Sequence, residues 1–162
     1  MKKIFSIGVL VLMLLSSSYA QQKTISDSSR AILTRFIADH TVAYLKGKGY
    51  SMVYALRLKI DAAGRCTTVE YSLNVPEEMK KGLDEISKLP LKWSRLTHRS
   101  GATTAIVPVY YLAEHTSGEL KFSSREMLEN SYRFSKGTIF DQTASTSFIN
   151  PIQVQQIHGK VY

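Results

Sequence analysis

The chain has 162 residues, 44% of them hydrophobic and 21% charged, with a formal net charge of +8. That length and composition suit one globular domain and exclude a wholly disordered chain. Nine Gly and four Pro exclude a collagen-like or Pro-rich protein, and one Cys excludes a disulfide scaffold or Cys-rich zinc module.

The first twenty residues read as a secretory signal peptide. Lys2 and Lys3 precede an apolar run from Ile4 to Leu15, and small residues lead to Ala20. The run is too short to span a bilayer, which needs about 20 apolar residues. Cleavage after Ala20 is expected, so the mature chain starts near Gln21 and reaches the periplasm or beyond. The positive residues are scattered, without the Lys/Arg and aromatic interleaving of a nucleic-acid groove. Solubility, or an anionic surface or partner, is the consequence left for the charge.

Ser26 to Lys46 reads as a helix. Ser26, Asp27 and Ser28 offer cap oxygens, and Ile32, Leu33, Phe36, Ile37, His40, Ala43 and Tyr44 recur on one face. Gly47 and Gly49 end it. His40 on that face is expected as a hydrogen-bonded, half-buried side chain and not as a ligand. Ser51 to Ile60 reads as a strand, because Leu56, Leu58 and Ile60 alternate with Arg57 and Lys59. Asp61 and Gly64 make a turn, and Arg65 to Leu73 returns as the second arm of a hairpin.

Pro76 to Lys88 is the second helix, with Met79, Leu83, Ile86 and Leu89 as its apolar stripe and Pro90 as its stop. Leu91 and Trp93 form a short apolar spot, with Trp93 expected in the core. Thr103 to Leu112 is the third strand, and Ala105, Val107, Val109 and Tyr111 share a face. Pro108 cannot donate to a ladder, so this strand is expected at an edge or with that position turned outward. From Ala113 to Tyr162 the pattern weakens. Ser123 to Phe134 reads as a short helix with Met127, Leu128 and Tyr132 inward, Gly137 to Ser147 as turns, and Ile152, Val154 and Val161 as a weak terminal strand.

The order helix, hairpin, helix, Trp, strand resembles the C-terminal domain of TonB-type energy transducers over about residues 36–112. Phe36 to His40 looks like the lead-in helix. Val53 to Asp61, followed by Gly64 and Arg65, looks like the first strand and its I-D-x-x-G turn. Leu83 to Ile86 and Leu89 to Trp93 look like the helix and P-x-W segment. Gly101 and Val107 to Tyr111 look like the closing glycine and P-V-x-F strand. Cys66 stands where the family usually has Val and is expected to be buried. Ser94 replaces a frequent Lys-Pro, the Pro-rich linker is absent, and a tail of about 50 residues is added. The resemblance therefore implies the fold and a strand-pairing function more than energy transduction.

The expected organisation is a signal peptide over 1–20, a TonB-C-terminal-like domain over 21–112 and an extension over 113–162. The fold class is α+β: a small antiparallel sheet of three or more strands with two helices on one face. No His-x-x-x-His, Cys-x-x-Cys, Gly-x-Ser-x-Gly or phosphate loop occurs. His98, His115 and His158 stand apart, and Cys66 has no activating neighbour in sequence. No cofactor or metal is expected, and the chain is expected to be a non-enzymatic envelope protein. Its site is expected on the third strand, where Ala105, Val107, Val109, Tyr110 and Tyr111 accept an extended segment of an envelope partner, such as an outer-membrane receptor, by strand addition. The competing expectation is that Ile152–Ile157 covers that edge. The alternatives for function are self-association through the same edge, giving a homodimer, and an envelope hydrolase assembled from residues distant in sequence.

Overall fold

The computed structural model describes residues 28–114, 121–139, 145–157 and 160–161. Residues 1–20, expected as a signal peptide, the expected cap residues Ser26 and Asp27, part of the expected turn segment 137–147, His115 and His158 lie outside the described residues. Helix α1 covers 28–45 and is followed by strands β1, Met52–Ile60, and β2, Cys66–Tyr71. Helix α2, Glu77–Leu83, tightens into a 3₁₀ turn over Asp84–Lys88, and a short helix α3, Trp93–Thr97, leads to the long strand β3, Thr103–Glu114. Helix α4, Arg125–Asn130, precedes β4, Thr146–Phe148, β5, Ile152–Ile157, and β6, Lys160–Val161.

The fold is α+β, around one sheet in the order β2-β1-β3-β5-β6, with β4 also paired to β3. The β2-β1-β3 part is antiparallel, with Leu58 opposite both Val69 and Ala105. The sheet as a whole is mixed, because β4 and β5 run parallel to β3. The expected antiparallel sheet is thus its β2-β1-β3 part, and the strands β4, β5 and β6 of the C-terminal extension, whose structure the sequence leaves open, add to it.

Period-two alternation sets the two faces. Met52, Tyr54, Leu56, Leu58 and Ile60 of β1 and Ala105, Val107, Val109 and Tyr111 of β3 point into the main core. Leu33, Ile37 and Leu45 of α1, Met79 and Leu83 of α2, and Ile86 pack onto them from the helix side. Trp93 joins this core, and so does Cys66, whose thiol burial pushes up. A buried polar link is sealed within this layer: the Thr41 hydroxyl donates to Ile37 O at 2.6 Å and meets the Tyr54 hydroxyl at 2.6 Å. His40 Nδ1 lies 2.8 Å from Phe36 O, and its ring sits 4.2 Å from the Phe36 ring. The same ring fills the space above Gly82, where an added Cβ meets His40 Cδ2 at 2.7 Å. Glycine there lets α2 lie close to α1.

The opposite face is not wet along its centre. Ala55 and Ile106 are covered by Phe134 and Ile139, with Tyr132 packed alongside. The cover is held by backbone bonds, Phe134 N to Gly137 O at 2.8 Å and Ile139 N to Tyr132 O at 3.0 Å. A polar string ties it to the sheet: Ser72 Oγ accepts from Ala55 N and donates to Asn74 Oδ1, and Asn74 Nδ2 donates to Val53 O at 2.6 Å and to Ser131 Oγ, just before Tyr132, at 3.4 Å. Helix α4 is capped by Ser124, whose hydroxyl accepts from Met127 N at 3.1 Å. Met127 is partly buried against the main core, but Leu128 is 42% exposed and does not point inward as the sequence pattern predicts.

Candidate protein-binding edge

The strand expected to be free is central. Ala105, Val107, Val109 and Tyr111 are buried in the helix-side core. Tyr110 lies on the other face, its hydroxyl 3.0 Å from that of Tyr132. β3 pairs with β1 along one side, and along the other with β4 over Thr104–Ile106 and with β5 over Val109–Glu114. The five residues therefore offer no edge to a partner. β5 is the segment Ile152–Ile157 that competes for this edge in the sequence, and Ile152 and Val154 anchor it by entering the main core. Tyr111 OH also donates to Gln156 Oε1.

Pro108 has a physical place in this central strand. Ser72 N donates to Ala55 O, so the odd-numbered positions of β1 turn their backbone groups toward β2 and the even-numbered ones toward β3. Pro108 stands opposite Ala55, so its backbone faces the β4/β5 side. There the pairing is interrupted, between Phe148, opposite Ile106, and Ile152, opposite Val109. The ring occupies the one stretch of β3 where no N–H is needed.

β2 is a terminal strand of the sheet and one of its open edges among the described residues. The alternation that turns Thr68, Glu70 and Ser72 toward β1 turns the N–H and C=O of Val69 and Tyr71 outward. Among the described residues, nothing hydrogen-bonds to these four groups. The next outward donor, Leu73 N–H, is taken by Arg133 O at 2.8 Å, which closes that end. At the other end a bulge between Lys59 and Ile60 twists the hairpin, and Thr67 Oγ1 donates to Lys59 O at 3.2 Å. On the far side of the sheet β6 pairs only with Gln156 and Ile157 of β5, so among the described residues no further strand covers the outer side of Ile152–Gln155.

The side chains around β2 are held firmly. Tyr71 OH donates to Asp84 Oδ1 at 2.6 Å, and burial together with that carboxylate pushes its phenol far above the usual range. Glu70 lies 2.7 Å from Arg57 Nη2 and 3.2 Å from Lys59 Nζ. Burial raises its carboxyl, and the hydrogen bonds and charges of Lys59 and Arg57 more than offset this, leaving it below the ordinary range. Val69 is half-buried, and Leu73, just past the strand, is 50% exposed. This ribbon combines unused main-chain groups with an apolar side chain at its end.

The sequence shows β2 as a strand but hides its position at the edge. Which strand ends a sheet depends on where the C-terminal segment pairs, and no local pattern states that. Among the described residues no group of three or more His, Cys, Asp or Glu side chains is placed to hold a metal ion, and no helix is long and apolar enough to cross a membrane. No protein-family model matches the chain, and no curated protein or solved structure is significantly similar to it.

Proposed function

We propose that this chain is an exported, non-enzymatic protein-binding module of the bacterial cell envelope that takes an extended partner segment by strand addition at β2. The observation that carries this reading is the row of outward N–H and C=O groups at Val69 and Tyr71, unused among the described residues. Main-chain groups at strand spacing are complementary to another strand, and main-chain hydrogen bonds supply affinity while alternate side chains supply specificity. Leu73 offers an apolar contact at the end of the ribbon. The signal-like start and the TonB-like order of elements support an envelope location and a strand-pairing role. The edge used is β2, since β3 is occupied by β4 and β5.

Val69→Pro tests this directly. It removes an outward donor and leaves the bonds of Glu70 and Thr68 to β1 in place. With a photo-crosslinking amino acid at Thr67, an adduct of defined mass forms in cells expressing the protein, and Val69→Pro abolishes it while the circular dichroism spectrum is kept. An adduct of twice the chain mass identifies a second copy as the added strand. No adduct at Thr67, or one that persists at equal yield in folded Val69→Pro, overturns the reading.

A further inference from the structure

The second face of the sheet carries a pocket of about 190 Å³ that the strand-edge reading does not use. Ile106 and Ile139 form apolar walls, and Arg57, Lys59, Glu70, Thr104 and Lys136 bring polar groups to it. Arg57 is the built part. Its side chain is only 14% exposed, and its guanidinium carbon lies 4.2 Å from the Phe134 ring centroid. Nε donates to Glu70 Oε2 at 2.9 Å and Nη2 to Lys136 O at 2.8 Å. These contacts fix the guanidinium plane and leave Nη1 without a partner among the described residues. Glu70 is saturated, with Oε2 on Arg57 and Oε1 on Lys59.

Two further donors, the Lys136 ammonium and the Thr104 hydroxyl, are uncommitted among the described residues. Lys136 makes no ion pair among the described residues, and the Thr104 hydroxyl has no partner among them. Three cations, Arg57, Lys59 and Lys136, face one carboxylate, Glu70, which leaves two positive charges unmatched beside apolar walls. Low-dielectric walls strengthen the attraction such charges exert on an anion. The donors come from different elements: Arg57 and Lys59 from β1, Thr104 from β3 and Lys136 from the loop after Phe134. Arg57, Lys59 and Thr104 stand on one face of the adjacent strands β1 and β3, with Thr104 directly opposite Lys59, and Lys136 reaches the pocket from the covering loop. A phosphate group at pH 7 carries about −1.5 to −2 charges, close to the surplus.

We propose that this pocket binds a phosphate group, either inorganic phosphate or the end of a phosphate monoester. Arg57 is the fixed anchor, Lys136 the closing cation and Thr104 a hydroxyl donor. The site shares Glu70 with β2 but uses none of the outward main-chain groups of that strand.

The test is calorimetric titration of the full chain at constant ionic strength, with inorganic phosphate in one series and glycerol 1-phosphate in the other. Saturable binding with Kd below about 10 mM is expected for at least one of them. Lys136→Ala, at an exposed side chain, weakens it by about fivefold or more, Lys136→Arg retains it, and Lys88→Ala, remote and paired with Glu85, leaves it unchanged. Tighter binding of the ester identifies a monoester as the source, and equal binding identifies the free ion. No saturable binding of either probe, or equal binding by wild type and Lys136→Ala, overturns the proposal.

Discussion

The two faces of the sheet are closed by different means. On one side, helices α1 and α2 lay repeating apolar stripes across Tyr54, Leu56, Val107 and Val109. On the other, a loop and a single turn set Phe134 and Ile139 over Ala55 and Ile106. The helices satisfy most of their own backbone bonds. The loop has a few bonds of its own, such as Phe134 N to Gly137 O, and also takes outside partners, Leu73 N–H on Arg133 O and the Asn74 amide on Ser131 Oγ. A face buried by periodicity is redundant, and a face buried by two side chains depends on each of them.

That comparison breaks most severely where the C-terminal segment enters the helix side. Val154→Asp places a charge beside residues that are almost fully buried. We expect a loss above about 4 kcal/mol, or no folded chain, in urea unfolding. A loss under about 1 kcal/mol would show that β5 lies outside the core. On the opposite face, Phe134→Ala opens a cavity and strips the ring from Arg57. It should cost about 2–4 kcal/mol in the same measurement.

The helix side can be probed more finely through its buried polar link. Thr41→Val strands the Tyr54 hydroxyl and should cost about 1–3 kcal/mol. Adding Tyr54→Phe should recover much of that, and a double-mutant cycle reads the coupling. If the two losses simply add, the hydroxyls are not paired in solution. Gly82→Ala gains up to about 1 kcal/mol of helix propensity but forces the His40 ring to move. We expect it to be clearly more favourable in a His40→Ala background than in the wild type.

The smallest expected effect is a pH dependence on the second face. The folded Glu70 carboxyl is held below its ordinary value, so its ion pairs with Lys59 and Arg57 stabilise the fold above the unfolded pKa, about 4.3. That contribution is lost as pH falls through the depressed folded value. Wild type and Glu70→Gln should therefore differ near pH 7 and converge in acid, measured as Tm against pH. A constant difference down to pH 2 would rule out the ionised pair as its origin.

The elements up to β3 were legible because each carries its own period and its own stop. The stripe Leu33, Ile37 with Gly47 behind it, and the alternation of Leu56, Leu58 and Ile60 before Asp61 and Gly64, are local signals that the structure keeps. Helix α3 was not read, since five residues are too few to show a period. The pattern that puts Leu128 inward needs a longer helix than α4, which has six residues. The candidate site moved because an edge is a property of the whole sheet. Pro108 was a sound sign of a missing ladder bond. The gap it marks lies between two strands that share one side of β3, and only the tertiary pairing of residues 146–157 reveals this.

The parallel docking of β5 on β3 also bears on how the chain reaches its final state. Val109 meets Ile152, 43 residues later in the chain. Such non-local pairing is slow to form, because loop closure must precede any gain from contacts. During synthesis β3 exists before its second neighbour does, so its flank stays bare until the last strands arrive. A strand of a sister chain is complementary to that bare flank, and mispairing there is the hazard an unpaired edge carries during folding. The strand that seals the finished protein thus also sets how long that flank stays open.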